Sequence, residues 1–130
     1  NGAFELAAPE DLPLEVGAAQ RIRARRPPSD GLVAVISRTH RDTKSEQYLE
    51  AYTVAGMVAA GSSLKFCLVA TGEADLYPRH GTTMEWDTAA GQAVLEAAGG
   101  SVTSLEGVPL IYGKADLGFV NPHFIARGLV

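Results

Sequence analysis

The sequence predicts an α/β domain with a mixed or mostly parallel sheet flanked by helices. Three observations carry this. Leu32-Val33-Ala34-Val35-Ile36 is an unbroken, largely β-branched apolar run, the pattern of a strand covered on both faces. A second apolar run, 54–60, follows after a helix-length segment, and strands alternating with helical stretches build parallel sheets. Polar clusters follow directly on predicted strands at 37–40, at 61–65 and at Arg79. Open α/β sheets bind ligands just there, beyond the carboxyl ends of the strands.

Taken in order, residues 2–7 alternate as a strand does, and 8–13 form an acidic, proline-containing loop. Residues 18–25 read as a second strand. Arg21, Arg23 and Arg25 share one of its faces, and a solvated or edge-protecting face is the expectation for them. Pro27-Pro28-Ser29-Asp30-Gly31 breaks the chain and marks a boundary between residues 1–28 and 29–130. The strand 32–36 leads into the polar loop Ser37-Arg38-Thr39-His40-Arg41, then a helix over 43–51 capped by Asp42 or Thr43. Residues 54–60 read as a second buried strand, 63–71 as a helix stopped by Gly72, and 74–77 as a strand. Short strands are expected at 101–104 and 117–120, with a helix over 122–127 opened by Asn121-Pro122.

The longest helix is expected in the second half of 81–100. Ala89, Ala90, Ala93, Val94 and Ala97 recur at helical spacing and form a narrow stripe of small apolar residues, on which a helix can lie close to a sheet or another helix. Gly99-Gly100 supplies the stop. Asp87 and Thr88 suit the start of this helix, so Asp87 reads as a cap or as a carboxylate free to ligate a metal. Gly61-Ser62-Ser63-Leu64-Lys65 opens another helix, where backbone N–H groups and Lys65 suit a phosphate.

With 130 residues, 46% hydrophobic and 20% charged, the chain is long and apolar enough for one folded domain. A net charge of −4 argues against a general nucleic-acid binder. The single cysteine, Cys67, excludes an internal disulfide framework, fits a reducing compartment, and lies in an apolar run as a structural thiol would. No apolar run approaches the ~18 residues of a membrane span.

Trp86-Asp87-Thr88-Ala89-Ala90-Gly91 resembles the Trp-Asp-x-Ala-Ala-Gly signature of the inositol monophosphatase superfamily of magnesium-dependent phosphatases. Val35 to His40, Gly61 to Leu68, Ala74 to Arg79, Glu85 to Gly91 and Asn121-Pro122 together resemble its bisphosphate nucleotidase branch. The resemblance covers roughly residues 31–125. It implies the layered sugar-phosphatase fold, represented by its C-terminal half, and hydrolysis of 3′-phosphoadenosine 5′-phosphate to AMP and phosphate. His40, Ser62, Lys65, Arg79 and Asp87 would then bind substrate, and Asp87 would also act in catalysis as a ligand of Mg²⁺, with Glu85 nearby. The family's other metal-binding segments, a Glu-Glu pair and an Asp-Pro-x-Asp-Gly-Thr run, are absent from this sequence. The expected partner is therefore the N-terminal half of the enzyme, whose last strands residues 1–28 would supply. A homodimer is compatible with the resemblance, as is a cytoplasmic location or one at the inner face of the membrane. Inositol or sugar phosphates as substrates, or nucleotide binding without hydrolysis, are the alternatives.

Overall fold

The computed structural model describes residues 2–7, 16–37 and 42–130. Seven strands and three α-helices are formed among them: β1 (Ala3–Glu5), β2 (Gln20–Ile22), β3 (Leu32–Ser37), α1 (Thr43–Leu49), β4 (Val54–Ala60), α2 (Leu64–Ala70), β5 (Leu76–Arg79), α3 (Glu85–Ala97), β6 (Ser101–Ser104) and β7 (Phe124–Arg127). β1 and β2 pair as a separate antiparallel ribbon, and the other five strands form one sheet in the order β4-β3-β5-β7-β6. β3 is parallel to β4 and β5, whereas β7 runs antiparallel to both β5 and β6. The sheet is mixed, as expected.

Strand alternation divides the core into two layers. Val35, Tyr77, Phe124 and Ala126 point to one face, where Phe66 and Val69 of α2 and Leu95 of α3 meet them. Leu32, Ala34, Leu76 and Ile125 point to the other, against Leu49 of α1. Asp42 caps α1: its Oδ1 accepts the Lys44 N–H at 3.1 Å. α3 lies tightly on α2 because Gly91 has no side chain. A Cβ there would stand 2.5 Å from Phe66 Cδ2 and 2.7 Å from Cγ.

Five expectations change. The segment 122–127 is not a helix but holds β7, an interior strand of the sheet. Phe124, Ile125 and Ala126 alternate between two apolar layers, and that burial outweighs the helix-start signal of Asn121-Pro122. Instead of a strand at 117–120 there is a 3₁₀ turn, Ala115–Leu117, and an isolated bridge from Val120 to Met84. β4 lies at the sheet edge and is largely exposed, with Met57 57% accessible. An apolar run does not reveal its place in the sheet.

The fourth change concerns α3. It starts at Glu85, and its buried residues are Glu85, Thr88, Gly91, Gln92 and Leu95. The small-residue stripe Ala89, Ala90, Ala93, Val94 and Ala97 faces outward. Cys67 is half-buried and free.

Arg25 also departs from a solvated face. Its Nε and Nη2 donate to Asp75 Oδ1 and Oδ2 at 2.8 and 3.0 Å. Asp75 is wholly buried and also accepts the Val33 N–H at 2.7 Å. Arg21 and Arg23 are exposed, as expected.

Candidate active site

Four of the five candidate residues converge. Ser62, Lys65, Arg79 and Asp87 line one cavity of about 180 Å³ at the carboxyl end of β5, together with Ser37, Tyr77, Thr83 and Thr88. The fifth, His40, lies outside the described residues.

Ser62 sits in the turn between β4 and α2 with φ of +49°, the left-handed region that non-glycine residues rarely adopt. Its carbonyl oxygen accepts the Lys65 Nζ at 2.8 Å. The Lys65 ammonium also stands 5.2 Å from the Tyr77 ring centroid, on the ring face. Lys65 is 5% exposed and has no carboxylate partner among the described residues. Burial lowers its pKa, and the Arg79 charge lowers it further.

Arg79 ends β5. Its guanidinium passes over Gly81, where a Cβ would lie 3.1 Å from the guanidinium carbon, so a bare backbone there makes room for it. The Arg79 Nε is buried without a hydrogen-bond partner. A buried donor without an acceptor is costly, and an anion in this cavity would relieve that cost.

Asp87 is the third residue of α3, where its Oδ2 accepts the backbone N–H of the capping residue Met84 at 2.8 Å. The cap reading is thus satisfied. A carboxylate has several acceptor sites, so capping does not use it up. Glu85 is spoken for: it accepts the N–H groups of Gly113 and Lys114, each at 2.9 Å, and Lys114 Nζ pairs with it at 2.7 Å. These bonds hold its pKa down at about 2. Glu85 therefore clamps the 105–120 loop. Among the described residues no three His, Cys, Asp or Glu side chains gather as a metal site. Asp87 by itself offers a cation a single carboxylate.

Sequence reasoning passed over Tyr77 as a site residue and took Asn121 only as a helix start and a part of the family resemblance. Tyr77 shares a strand face with Arg79, two residues on, and period-two alternation is the signal that points to it. Its ring is held edge-on by Phe66 and Phe124 at 5.4 and 5.6 Å. Burial pushes its hydroxyl up to about 12, with Arg79 opposing and Asp87 reinforcing. It stays protonated, able to donate. Asn121 does not cap a helix. Its Nδ2 donates to Met84 O at 2.8 Å and Thr88 Oγ1 at 3.0 Å, which fixes the start of α3 and so the backbone that carries Asp87. Beside the cavity, Ser45 Oγ donates to Asp42 Oδ2 and meets His80 Nδ1, both at 2.9 Å, tying α1 to the end of β5.

The model of the inositol monophosphatase family matches residues 11–129. The chain belongs to the inositol monophosphatase family. It is 47% identical over 112 residues to the 3′(2′),5′-bisphosphate nucleotidase CysQ of Escherichia coli strain K12, covering 85% of this chain and 44% of that protein. The crystal structure of CysQ from Bacteroides thetaiotaomicron superposes with a TM-score of 0.80 at 36% identity, over 98% of this chain and 50% of that one. An inositol monophosphatase from Anabaena, 21% identical with a TM-score of 0.65, shares the fold. The chain thus spans about half the length of these family members.

Proposed function

We propose that this chain is the substrate-binding portion of a Mg²⁺-dependent 3′(2′),5′-bisphosphate nucleotidase, which hydrolyses 3′-phosphoadenosine 5′-phosphate to AMP and phosphate. The observation that carries the reading is the convergence of Lys65 and Arg79 in one cavity with Asp87, neither cation paired with an acid among the described residues. Two unneutralised cations suit a phosphate dianion, and a guanidinium can hold one with two hydrogen bonds. The similarity to CysQ over 85% of the chain supports the nucleotide over other phosphomonoesters.

In this reading Lys65, Arg79 and the turn at Ser62 grip the phosphate that is not cleaved. Tyr77, neutral and protonated, adds a donor and a ring wall that keeps Lys65 in place. Asp87, which lines the same cavity, is assigned to the bond to be broken. A bound Mg²⁺ would supply a polarised water and charge neutralisation there. The N-terminal half of the enzyme is the partner that provides the other ligands.

The test uses the enzyme reconstituted with that half. Lys65→Ala and Arg79→Ala should each raise KM for a substrate with two phosphates more than for one with a single phosphate. Equal losses on both would remove the second-phosphate grip. Asp87→Asn should lower kcat by on the order of 10²-fold or more, because a metal ligand contributes several kcal/mol. The fold should stand, since an asparagine oxygen can still accept the Met84 N–H. A variant that loses thermal stability and keeps turnover would reduce Asp87 to a cap.

A further inference from the structure

A second cavity, of about 360 Å³, opens at the amino ends of the parallel strands, the other end of β5 from Arg79. It is the unclosed end of the apolar layer that holds Leu32 and Leu76, both of which line it. Helix α1 is seven residues long and ends at Leu49, so beyond it the cavity is walled by Pro27, Pro28 and Tyr52. Arg127 lines it too. It follows Ile125 by two residues on β7, so strand alternation puts both side chains on one face. The Arg127 Nε is buried without a hydrogen-bond partner, and no acid among the described residues pairs with the guanidinium. Its charge reaches the Tyr52 hydroxyl, where it opposes the rise in pKa caused by the hydrogen bond with Tyr48 and by burial. Asp75 also lines the cavity, but Arg25 already holds both of its oxygens.

We propose that this cavity binds a small apolar monocarboxylate, with the carboxylate on Arg127 and the Tyr52 hydroxyl and the body among Pro27, Pro28, Leu32 and Leu76. Three observations choose this class of ligand. First, a buried donor without an acceptor is costly, and an anion at Arg127 removes that cost. A guanidinium takes a carboxylate through two parallel hydrogen bonds. Arg25 shows that fork in use on Asp75, through Nε and Nη2, and Arg127 holds the same fork unused. Second, the charge suits one negative group and not two. The cavity at the carboxyl ends gathers Lys65 and Arg79, which suits a phosphate dianion. Here a single free cation lies beside a buried carboxylate, so a second negative charge would meet Asp75 and find no partner. Third, proline and leucine walls favour hydrocarbon, and ligand cavities of this size are mostly apolar with a few polar groups that fix orientation. The site is separate from the phosphate cavity and does not depend on the nucleotide assigned above.

The experiment titrates the full, isotope-labelled chain with cinnamate and follows the backbone amides by NMR. Saturable shifts are expected at Gly31, Leu76 and Gly128, with a dissociation constant of about 1 mM or tighter, as suits a ligand of this size. Cinnamamide keeps the shape and lacks the charge, and it should bind at least about tenfold more weakly. Arg127→Gln should weaken cinnamate to the level of the amide and leave the amide within about twofold of its affinity for the unaltered chain. Three results overturn the proposal. One is equal binding of acid and amide. Another is cinnamate shifts confined to Ser63, Lys65 and Thr83, which would place the acid in the phosphate cavity. The third is no saturable shift at about 10 mM cinnamate. If Arg127→Gln does not fold, the comparison of acid with amide on the unaltered chain decides alone. Cinnamate binding that Arg127→Gln leaves unchanged also overturns the proposal, since the guanidinium would then not hold the acid.

Discussion

At the amino ends of the parallel strands, Arg25 meets the wholly buried Asp75 through two hydrogen bonds. At their carboxyl ends, Lys65 and Arg79 meet a cavity, and no acid among the described residues pairs with either. The first cation completes the fold. The other two are held by a carbonyl, a ring face and a bare glycine, none of which cancels charge. The difference separates a structural cation from one kept ready for an anion, and it can be broken from either side.

Breaking the paired end should cost the most. Arg25→Ala strands a buried carboxylate that retains only the Val33 N–H, and stability should fall by about 2–4 kcal/mol, somewhat less than for a fully buried pair because Arg25 is partly exposed. The unpaired end should answer with the opposite sign. Lys65→Met removes a buried ammonium and keeps much of its volume, so stability should hold or rise by about 0–2 kcal/mol while anion binding is lost. Chemical denaturation of the two variants checks both signs. If Lys65→Met is the more damaging substitution, the ammonium is structural and the contrast collapses.

A smaller effect probes the helix pair that supports the cavity. Gly91→Ala gains up to ~1 kcal/mol of helix propensity but drives a Cβ into the root of the Phe66 ring, which is 2% exposed and cannot withdraw. A net loss of about 1–2 kcal/mol is expected from overpacking outweighing propensity. A gain in Tm would mean that α2 and α3 can part without cost.

The two ends were not equally legible in the sequence. Ser62, Lys65 and Arg79 follow predicted strands, and strand ends converge in an α/β sheet, so their meeting could be foreseen. Arg25 could not be paired with Asp75, because fifty residues separate them and nothing local marks the contact. α3 failed in a more instructive way. Periodicity counts alanines as core, yet Thr88 and Gln92 are the buried residues, since Asn121, Tyr112 and the Leu110 carbonyl satisfy them. Hydrogen bonding across 18–33 residues decided which face turned inward. β7 was misread because Asn121-Pro122 is a helix-start signal on its own, and its amide was needed elsewhere.

The smallest expected effect tests a third kind of charge, an acid that organises a loop. Glu85 gathers the Gly113 and Lys114 N–H groups and the Lys114 ammonium, and this holds its pKa at about 2 against an ordinary 4.5. A carboxylate depressed on folding contributes stability above its unfolded pKa and loses it as pH falls through the folded value. The 105–120 loop should therefore stay clamped at pH 5 and above and loosen progressively between about pH 4.5 and 2. Hydrogen exchange at the Gly113 and Lys114 amides would report it, with Glu85→Gln already loose at neutral pH and nearly flat below. Because Thr88 and Gln92 bond to Tyr112 in the same loop, loosening should also reach the start of α3. If the amide protection of Gly113 is indifferent both to acid and to Glu85→Gln, the clamp does not hold the loop, and Glu85 would be free to turn toward Asp87.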